Sequence, residues 1–305
     1  MNINLRDIQY FAVVAEHRHL GRAAESLGLS QPALSMSLRR LENHLRTKLV
    51  KRTPKGVDLT ASGEAVFAHA RRLRLSIDDI SREVTDLTQG HAGHLNIGTG
   101  TGFAFHLLPA ACKVLAREAP QVTLKVVVAG RGDALDGLRA GRLDLVIAAT
   151  RTADDREFVQ EHLFDDEFTV YASINHRLAK RKRVTLADVA KERWALTTSD
   201  TPSWQRIHQA FEEGGLPPPR IAIETGSAVL RLRLIAASDL LGYSSRPVVR
   251  QGAPHLRFAE FPIKELARTR SVGVIYRRDF YLSPAAKRFI EILRATAKEI
   301  ATDKN

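Results

Sequence analysis

Basic side chains are concentrated in one stretch of the chain, residues 30–56. Seven Lys or Arg residues stand there against a single acid, Glu42; they are Arg39, Arg40, Arg46, Lys48, Lys51, Arg52 and Lys55. Guanidinium and ammonium groups at this density bind phosphate, and the Ser and Gln side chains beside them are able to hydrogen-bond with base edges. The chemistry indicated is binding to DNA rather than the making and breaking of covalent bonds.

The elements that must position these groups are predicted from local signals. Residues 20–28 predict a short helix that ends at a glycine, and residues 30–42 predict a second helix. Ser30 is a good N-cap, and Pro32 lies in the first turn, where its missing N–H costs little. Two short helices joined by a tight turn form a helix-turn-helix, and residues 46–60 predict a basic two-stranded wing around a Pro-Lys-Gly turn.

The second helix is predicted to be amphipathic. Its buried stripe follows helical spacing and consists of Leu34, Leu38, Leu41 and Leu45. The opposite face places short polar groups near the N-terminus and arginines further along, as base and phosphate contacts require. A merely solvated polar face is the alternative, but the basic wing favours DNA. The predicted DNA contacts are Ser30, Gln31, Pro32, Ser35, Met36, Arg39, Arg40, Arg52 and Lys55.

Residues 5–64 closely resemble the winged helix-turn-helix of LysR-type transcriptional regulators. The matching segments, in the expected order, are Leu5–Phe11, Arg22–Glu25, Ser30–Ser35, Leu41–Glu42 and Arg52–Thr60. Two positions depart from the family pattern. Gly21 stands where the family often has Ser or Thr opening the first motif helix, although glycine tolerates an N-cap role. Met36 stands where a polar or basic residue is frequent, which suggests an apolar contact such as one to a thymine methyl.

The resemblance implies a function and a set of partners. A LysR-type regulator binds double-stranded promoter DNA sequence-specifically, as a homodimer or homotetramer, and bends it. A small effector bound in the C-terminal region modulates this binding, with RNA polymerase as a further possible partner. The resemblance therefore implies a protein that is not an enzyme. The architecture implied is α/β multidomain: a winged helix-turn-helix, a long dimerisation helix, and a periplasmic-binding-protein-like effector domain of two α/β subdomains.

Residues 60–89 predict one long helix, because they contain no proline and only one early glycine, Gly63. Apolar residues alternate at spacings of four and three: Val66, Ala70, Leu73, Ile77, Ile80, Val84 and Leu87. Such a seam is typical of a coiled coil, and in the resembled family this helix pairs with its counterpart in a second subunit. A helix that lies on its own chain is the alternative interpretation.

Composition sets further limits. The chain has 305 residues, of which 44% are hydrophobic, and it fits two or three globular domains. Its formal net charge of +12 favours anionic partners, and residues 91–305 contribute an excess of their own, with 32 basic against 24 acidic residues. Cys112 is the only cysteine, so no intrachain disulfide forms. Neither a signal peptide nor a membrane span is predicted, which favours a cytoplasmic location.

Strands and helices alternate after His94, which predicts α/β layers. Strands are predicted at residues 95–98, 122–129, 143–148, 168–172, 221–224 and 272–276. Helices are predicted at residues 103–118, 133–140, 203–213, 227–237 and 284–300. The predicted domains are a DNA-binding domain at 1–59, a dimerisation helix at 60–89, a hinge at 90–93, and an effector domain at 94–305 with subdomain I at 94–163 and 269–305 and subdomain II at 164–268.

The effector is expected between the two subdomains, because ligands lie beyond the carboxyl ends of parallel strands and near helix N-termini. The family often has Ser or Thr at position 100 or 102, where this chain has glycines. We therefore expect the neighbouring threonines to bind the effector. Arg131 replaces a usual Ser or Thr and favours a carboxylate or sulfonate, while a surface arginine that points away from the cleft is the alternative. The predicted effector contacts are Thr99, Thr101, Gly102, Arg131, Thr197, Thr198, Ser203 and Ser227.

Two other functions compete with this interpretation. A nucleotide-binding enzyme is disfavoured, because the glycines at 98, 100 and 102 do not have dinucleotide-binding spacing and no acid ends the next strand. No hydrolase, zinc-protease or P-loop motif is present, and the histidines lack metal-ligand spacing, so neither cofactor nor metal is predicted. A non-specific architectural DNA-binding protein remains the alternative, although compaction of DNA needs no ligand cleft.

Overall fold

The chain folds into two compact units, residues 1–88 and residues 89–305. The structure is a computed structural model that describes residues 3–89, 93–151, 157–199, 201–251, 255–278 and 281–302. Within these ranges, no helix combines the length and apolarity needed to cross a lipid bilayer. The residues 90–92 of the predicted hinge lie outside the described part.

The first unit has the predicted helix-turn-helix and wing. Its elements are α1 (Leu5–His17), α2 (Leu20–Ser26), α3 (Gln31–Leu45), β1 (Val50–Thr53), β2 (Gly56–Leu59) and α4 (Ala61–Gln89). The apolar side chains of α1, α2 and α3 meet in one core with Leu49 and Val57 of the wing region. Leu34, Leu38 and Leu41 are buried, so the apolar stripe expected on α3 is confirmed.

Helix ends in this unit follow capping rules, with one difference from the expectation. Ser30 caps α3 as predicted, because its side chain accepts a hydrogen bond from the N–H of Ala33. The helix α2 is capped by His19, whose Nδ1 accepts from the N–H groups of Gly21 and Arg22. Gly21 is therefore inside the helix and is not its N-cap. The imidazole of His19 accepts the hydrogen bonds that a Ser or Thr hydroxyl usually accepts at this position.

Close backbone contact attaches the wing to the helices. The N–H of Val57 donates to the carbonyl of Arg18 at 2.9 Å, and Gly56 has a φ of 136° next to it. A Cβ on Gly56 would lie 2.2 Å from the same carbonyl oxygen. Only glycine accommodates both the backbone conformation and this approach.

The second unit is built on strands that alternate with helices. Its strands are β3 (His94–Thr99), β4 (Thr123–Val128), β5 (Leu145–Ala149), β6 (Phe158–Ser173), β7 (Arg193–Leu196), β8 (Arg220–Glu224), β9 (Leu241–Ser245), β10 (Phe258–Phe261) and β11 (Arg268–Arg277). Its helices are α5 (Thr101–His106), α6 (Leu108–Glu118), α7 (Arg131–Arg139), α8 (Leu186–Val189), α9 (Pro202–Glu213), α10 (Ala228–Ala236), α11 (Arg246–Gln251) and α12 (Pro284–Thr302).

Among the described residues these strands form one sheet in the order β4-β3-β5-β11-β6-β9-β7-β8, with β10 also paired to β6. The strands β3, β4 and β5 run parallel to one another, as do β7, β8 and β9. Between the two groups lie the long antiparallel strands β6 and β11, which pair from Arg268–Phe168 to Arg277–Phe158. The predicted subdomain boundaries at 163/164 and 268/269 fall within these two strands, and the division into subdomains stays a prediction.

One predicted helix was wrong in its extent. A single helix was expected over residues 103–118, whereas the structure has α5 and then α6, with the break at Leu107. Pro109 lies in the first turn of α6, where its missing N–H is tolerated. In the interior of a continuous helix the same proline would remove a hydrogen bond and clash with the preceding turn.

Several strands also differ from the expectation. The segment expected at 168–172 is the last third of the 16-residue strand β6, and β7, β9 and β10 were not predicted at all. The strand β9 has the sequence Leu-Gly-Tyr-Ser-Ser, in which apolar and polar residues do not alternate, yet all five residues are buried. It lies between β6 and β7, and a central strand covered on both faces shows no alternation.

The helix α4 has 29 residues, a length of about 43 Å. The predicted seam is unevenly covered by the rest of the chain: Ala70 is buried and Val66 and Ile77 are half-buried. Leu73, Ile80 and Val84 are 37%, 60% and 54% exposed. The side chain of Leu87 lies outside the described residues.

We predict that Gly56→Ala destabilises the first unit by at least about 1 kcal/mol, because the added methyl meets the Arg18 carbonyl and the φ is unfavourable. The measurement is chemical unfolding of the full chain, followed by circular dichroism. Gly28→Asn is the matched control, since Gly28 has a φ of 64° with open space around it, a conformation that Asn tolerates. Equal stability of the two variants would contradict the proposed contact.

Candidate functional sites: nucleic-acid interface and ligand cleft

The N-terminal half of α3 presents the predicted contact residues to solvent. Ser30, Gln31, Pro32, Met36 and Arg39 are exposed, while Ser35 is half-buried. The Ser30 hydroxyl accepts a hydrogen bond from the N–H of Ala33 and therefore serves as the N-cap of α3. The exposed face therefore carries amide, apolar and guanidinium groups in the order expected of a recognition helix.

A concave surface joins this helix to the wing. A cavity of about 260 Å³ is lined by residues of α3 and of the wing, among them Ser35, Arg39, Lys48 and Arg52. Lys55 is exposed at the wing turn. Three residues predicted separately from helix and wing, Ser35, Arg39 and Arg52, thus line the same depression.

Arg40 has an intramolecular partner that the sequence did not indicate. Its Nε donates to Oδ2 of Asp7 at 2.7 Å, and its Nη2 also binds that carboxylate. Asp7 is buried and accepts a third hydrogen bond, from Ser37 Oγ at 2.6 Å. These contacts join α1 to α3, so Arg40 has a structural role whether or not it also contacts DNA, which stays a prediction.

The same contacts change the acidity of Asp7. The hydrogen bond from Arg40 is the main cause that lowers the pKa of this carboxyl below 3.8. A lowered folded-state pKa means that the ion pair stabilises the unit above about pH 4 and that this contribution is lost as the pH falls further. The link between α1 and α3 is consequently fully formed at neutral pH.

Buried Glu42 neutralises a second cation of the basic cluster. Its carboxylate accepts from Lys48 Nζ at 2.6 Å and from the N–H of Leu49 at 2.9 Å, which fixes the end of α3 to the wing. The remaining cations of residues 30–56 have no acidic partner among the described residues: Arg39, Arg46, Lys51, Arg52 and Lys55. Their charge is available to phosphates.

In the second unit, strand register creates a cleft. Ala149, at the end of β5, pairs with Val272, which pairs with Phe164 of β6. Ser245, at the end of β9, pairs with Phe168 of the same strand. The carboxyl ends of the two parallel groups therefore point toward each other along β6. Four residues of strand, about 13 Å, separate them, which is a suitable width for a small molecule.

The wall formed by β3, β4 and β5 holds the first group of predicted contacts. Thr99 is fully buried, whereas Thr101 and Gly102 open α5 and are half-buried. Arg131 is the first residue of α7, and its Nε donates to the carbonyl of Ala149 at 2.9 Å. The guanidinium is thus held across the carboxyl end of β5, at the edge of the cleft.

The wall formed by β7, β8 and β9 holds the second group. Thr197 and Thr198 follow β7, and the Oγ1 atoms of Thr197 and Thr201 are 2.6 Å apart. Thr201, not Ser203, caps α9. Ser227 caps α10 by accepting from the N–H of Leu230, and its predicted contact with an effector stays a prediction.

Sequence reasoning missed Thr201, although the signal was present. Thr201 directly precedes Pro202, and Thr-Pro is a frequent start of a helix. Ser203 is half-buried in the first turn. Thr201 joins Thr197 and Thr198 in one hydroxyl cluster, because its Oγ1 also donates to the carbonyl of Thr198 at 2.8 Å.

The floor of the cleft contains an ion pair. Asp166 of β6 is fully buried, and its Oδ2 accepts from Nε and Nη2 of Arg270 at 3.0 and 2.8 Å. The Arg270 guanidinium lies over the rings of Phe103 and Phe168, 4.9 and 4.7 Å from their centroids. No sequence pattern indicated this pair, because its members are far apart in the chain and join β6 to β11.

The helices α5 and α11 also meet beside the cleft. A Cβ on Gly102 would lie 3.3 Å from Cγ2 of Val248, so α5 packs closely on α11. His106 lies behind this contact, with its Nδ1 2.9 Å from the carbonyl of Gly102. Burial lowers the pKa of His106 and so favours the neutral imidazole. Within the described ranges, no group of three or more His, Cys, Asp or Glu side chains is placed to bind a metal ion.

A winged helix-turn-helix with a basic concave face, followed by an α/β unit with opposed strand ends, defines a DNA-binding regulator with a ligand-binding domain. Comparison with known proteins identifies the family. Residues 5–64 match the bacterial regulatory helix-turn-helix protein, lysR family, and residues 88–298 match the LysR substrate binding domain. The chain belongs to the LysR family of transcriptional regulators.

Individual relatives agree with this assignment. The chain is 32% identical, over 289 residues and 93% of both proteins, to the SDS degradation transcriptional activation protein of a Pseudomonas species. It is 29% identical over 297 residues to the HTH-type transcriptional regulator GbpR of Azospirillum brasilense, which covers 97% of this chain and 87% of GbpR.

Solved structures show the same fold. Full-length OxyR from Pseudomonas aeruginosa has a TM-score of 0.67 at 22% identity, covering 98% of this chain and 95% of OxyR. Full-length CbnR, solved with its target DNA, has a TM-score of 0.62 at 21% identity, covering 96% of this chain and 99% of CbnR.

We predict that Arg39→Ala and Arg40→Ala weaken DNA binding for different reasons. Arg39→Ala removes a solvent-exposed cation, so DNA affinity falls by about 1–3 kcal/mol and the melting temperature stays unchanged. Arg40→Ala leaves the buried Asp7 carboxylate without its main partner, so the melting temperature falls as well. Fluorescence anisotropy with labelled DNA and differential scanning calorimetry separate the two effects, and a stable Arg40→Ala variant would refute the structural role.

Proposed function

We propose that this LysR-family chain binds promoter DNA sequence-specifically and bends it, under the control of a small, anionic effector held between the two α/β subdomains. The single observation that carries the effector part is the opposed arrangement of carboxyl ends about 13 Å apart along β6. Carboxylates and sulfonates are the favoured effector class. The chain acts in the cytoplasm, where promoter DNA and RNA polymerase are accessible.

On the DNA side, we assign base contacts to the start of α3 and phosphate contacts to α3 and the wing. The proposed contact residues are Ser30, Gln31, Pro32, Ser35, Met36, Arg39, Arg40, Arg52 and Lys55. Exposure of the amide and methionine side chains beside unpaired arginines supports this division. Among these proposed DNA contacts, Arg40 has the least support, because Asp7 already binds its guanidinium.

On the effector side, the proposed contacts are Thr99, Thr101, Gly102, Arg131, Thr197, Thr198, Ser203 and Ser227. The position of Arg131 across the end of β5 and the hydroxyl cluster beyond β7 support polar recognition from both walls. A ligand that contacts both walls favours a closed arrangement of the subdomains. It shifts the equilibrium only as far as its affinities for the open and closed arrangements differ.

For assembly, we propose that α4 pairs with α4 of a second copy and that two dimers associate through their effector domains. The proposed boundaries are 1–59, 60–89, 90–93 and 94–305, with the subdomain limits inside β6 and β11. The exposed seam residues Leu73, Ile80 and Val84 support pairing, because a partner helix would cover them. The remaining proposed contacts are Val66, Ala70, Ile77 and Leu87.

A salt titration on two DNA fragments tests the DNA-binding function against an architectural role. We expect affinity for the chain's own promoter to exceed that for a scrambled fragment by about a thousandfold or more at physiological salt. Arg52→Ala should lower the salt slope by about one on both fragments, since it removes a phosphate contact. Equal affinities for the two fragments would instead indicate an architectural protein, whose binding ignores sequence.

Sedimentation equilibrium at micromolar concentration tests the assembly. We expect dimers and tetramers for the wild-type chain, and a shift toward monomers for Ile80→Asp, which places a charge in the apolar seam. Ser76→Asp, an exposed change on the same helix outside the seam, is the control. If the wild-type chain forms only dimers, the proposed association of two dimers is wrong. If it is monomeric, the proposed pairing of α4 helices is wrong as well.

A further inference from the structure

Arg231 is a buried cation in the wall formed by β7, β8 and β9. It is the fourth residue of α10, the helix that follows β8, and only 5% of the residue is exposed. Its position in the sequence Val-Leu-Arg-Leu-Arg-Leu did not distinguish it from Arg233, which is exposed on the same helix. Only the packing of α10 on the sheet separates the two arginines.

The hydrogen bonds of Arg231 do not neutralise its charge. Its Nη1 donates to the carbonyl of Thr225 at 3.2 Å, and its Nε is buried with no hydrogen-bond partner. No carboxylate among the described residues forms an ion pair with it. The cleft floor differs in this respect, since Arg270 binds Asp166 and Arg246 binds Glu167 at 2.7 Å.

A phenol lies beside this guanidinium. The hydroxyl of Tyr171 is fully buried and has no hydrogen bond of good geometry. Burial raises the pKa of Tyr171, and the neighbouring positive charge of Arg231 partly offsets that rise. Tyr171 is fixed in place, because its ring packs over Gly242, where a Cβ would lie 2.5 Å from Cζ. Two buried donors, one of them charged, are therefore held next to each other.

The guanidinium of Arg231 lies near the carboxyl ends of β7 and β8. Thr225, which accepts from Arg231, itself donates through its N–H to the carbonyl of Leu196, the last residue of β7. The guanidinium thus lies where β7 and β8 end, within the wall that faces β3, β4 and β5. Arg131, the arginine expected from the sequence, lies on the opposite wall and donates to the Ala149 carbonyl.

Burying a guanidinium without a counter-ion is unfavourable, and removal of such a group often stabilises a protein when an apolar residue of similar volume replaces it. A carboxylate or sulfonate has two acceptor oxygens that match the fork of the guanidinium and would also accept from the phenol. We propose that Arg231 and Tyr171 form the anion-binding subsite of the effector cleft, and that the effector carries one carboxylate or sulfonate that completes this ion pair. This inference rests on the proposed function, because it names the charge partner of the effector site.

Thermal unfolding of the full-length protein with small probes tests the subsite. The probes are acetate, benzoate and methanesulfonate at millimolar concentration and constant ionic strength, each paired with its neutral amide. At a hundredfold excess over the dissociation constant, an anion should raise the wild-type melting temperature by roughly 5–10 °C, and its amide should have no effect. The same series is measured for Arg231→Met, Tyr171→Phe, Arg131→Ala and the control Arg233→Met.

We expect Arg231→Met to lose the response to anions while its melting temperature without ligand is equal to or above that of the wild type. Tyr171→Phe should keep a weakened response, and Arg233→Met should respond as the wild type does. A purely structural role of Arg231 predicts the opposite pattern, a lower melting temperature with the anion response retained. That result would overturn the proposal, as would a wild-type protein that responds to no anion of the series.

The outcome is separable from the regulatory function. If Arg131→Ala loses the anion response and Arg231→Met keeps it, Arg131 on the opposite wall is the charge partner of the effector. The proposal for Arg231 is then wrong, while the proposed effector-controlled regulation is unaffected. Loss of promoter specificity in the salt titration would refute sequence-specific regulation but would not alter the thermal response to anions.

Discussion

The antiparallel pairing of β6 with β11 is the constraint on which the ligand-binding unit depends. Both strands lie between the two groups of parallel strands, so their register fixes where each group ends. The ends of β5 and β9 meet β6 only four residues apart, at Phe164 and Phe168. Helices and loops that follow the parallel strands must therefore face one another, and every polar group proposed to bind the effector takes its position from this register.

The cations of both units differ in whether an acidic side chain binds them. In the first unit, buried Asp7 and Glu42 each hold one cation of the basic cluster and tie α3 to α1 and to the wing. In the second unit, Asp166 holds Arg270 at the cleft floor. Arg39, Arg52 and Arg231 have no such acid among the described residues. A buried charge without a counter-ion is unfavourable, which is why an external partner is proposed for Arg231. The exposed Arg39 and Arg52 are solvated, and their charge is accessible to DNA phosphates.

Much of the fold could be predicted from local signals, and the errors have physical causes. The helix-turn-helix, the wing and α4 follow from caps, glycines and apolar spacing that act over a few residues. The break between α5 and α6 was missed although Pro109 marks it, while β9 gives no period because both of its faces are buried. The long extent of β6 was missed for a related reason, since its outer part is defined by its pairing with β11, which is more than 100 residues away.

The sequence by itself indicated the class of partner, because side chains of the types that contact bases and phosphates occur at short, regular spacing on one helix and its wing. It indicated the family through the matching segments of residues 5–64. It also indicated where a ligand cleft would form, through the alternation of strands and helices. Only the tertiary structure decided which charges are neutralised. Arg39 and Arg40 are neighbours, as are Arg231 and Arg233 within one helical turn, and each pair differs only in what packs against it. Whether a carboxylate lies next to a given arginine depends on residues far away in the chain. The sequence around that arginine does not reveal which distant residues will pack against it.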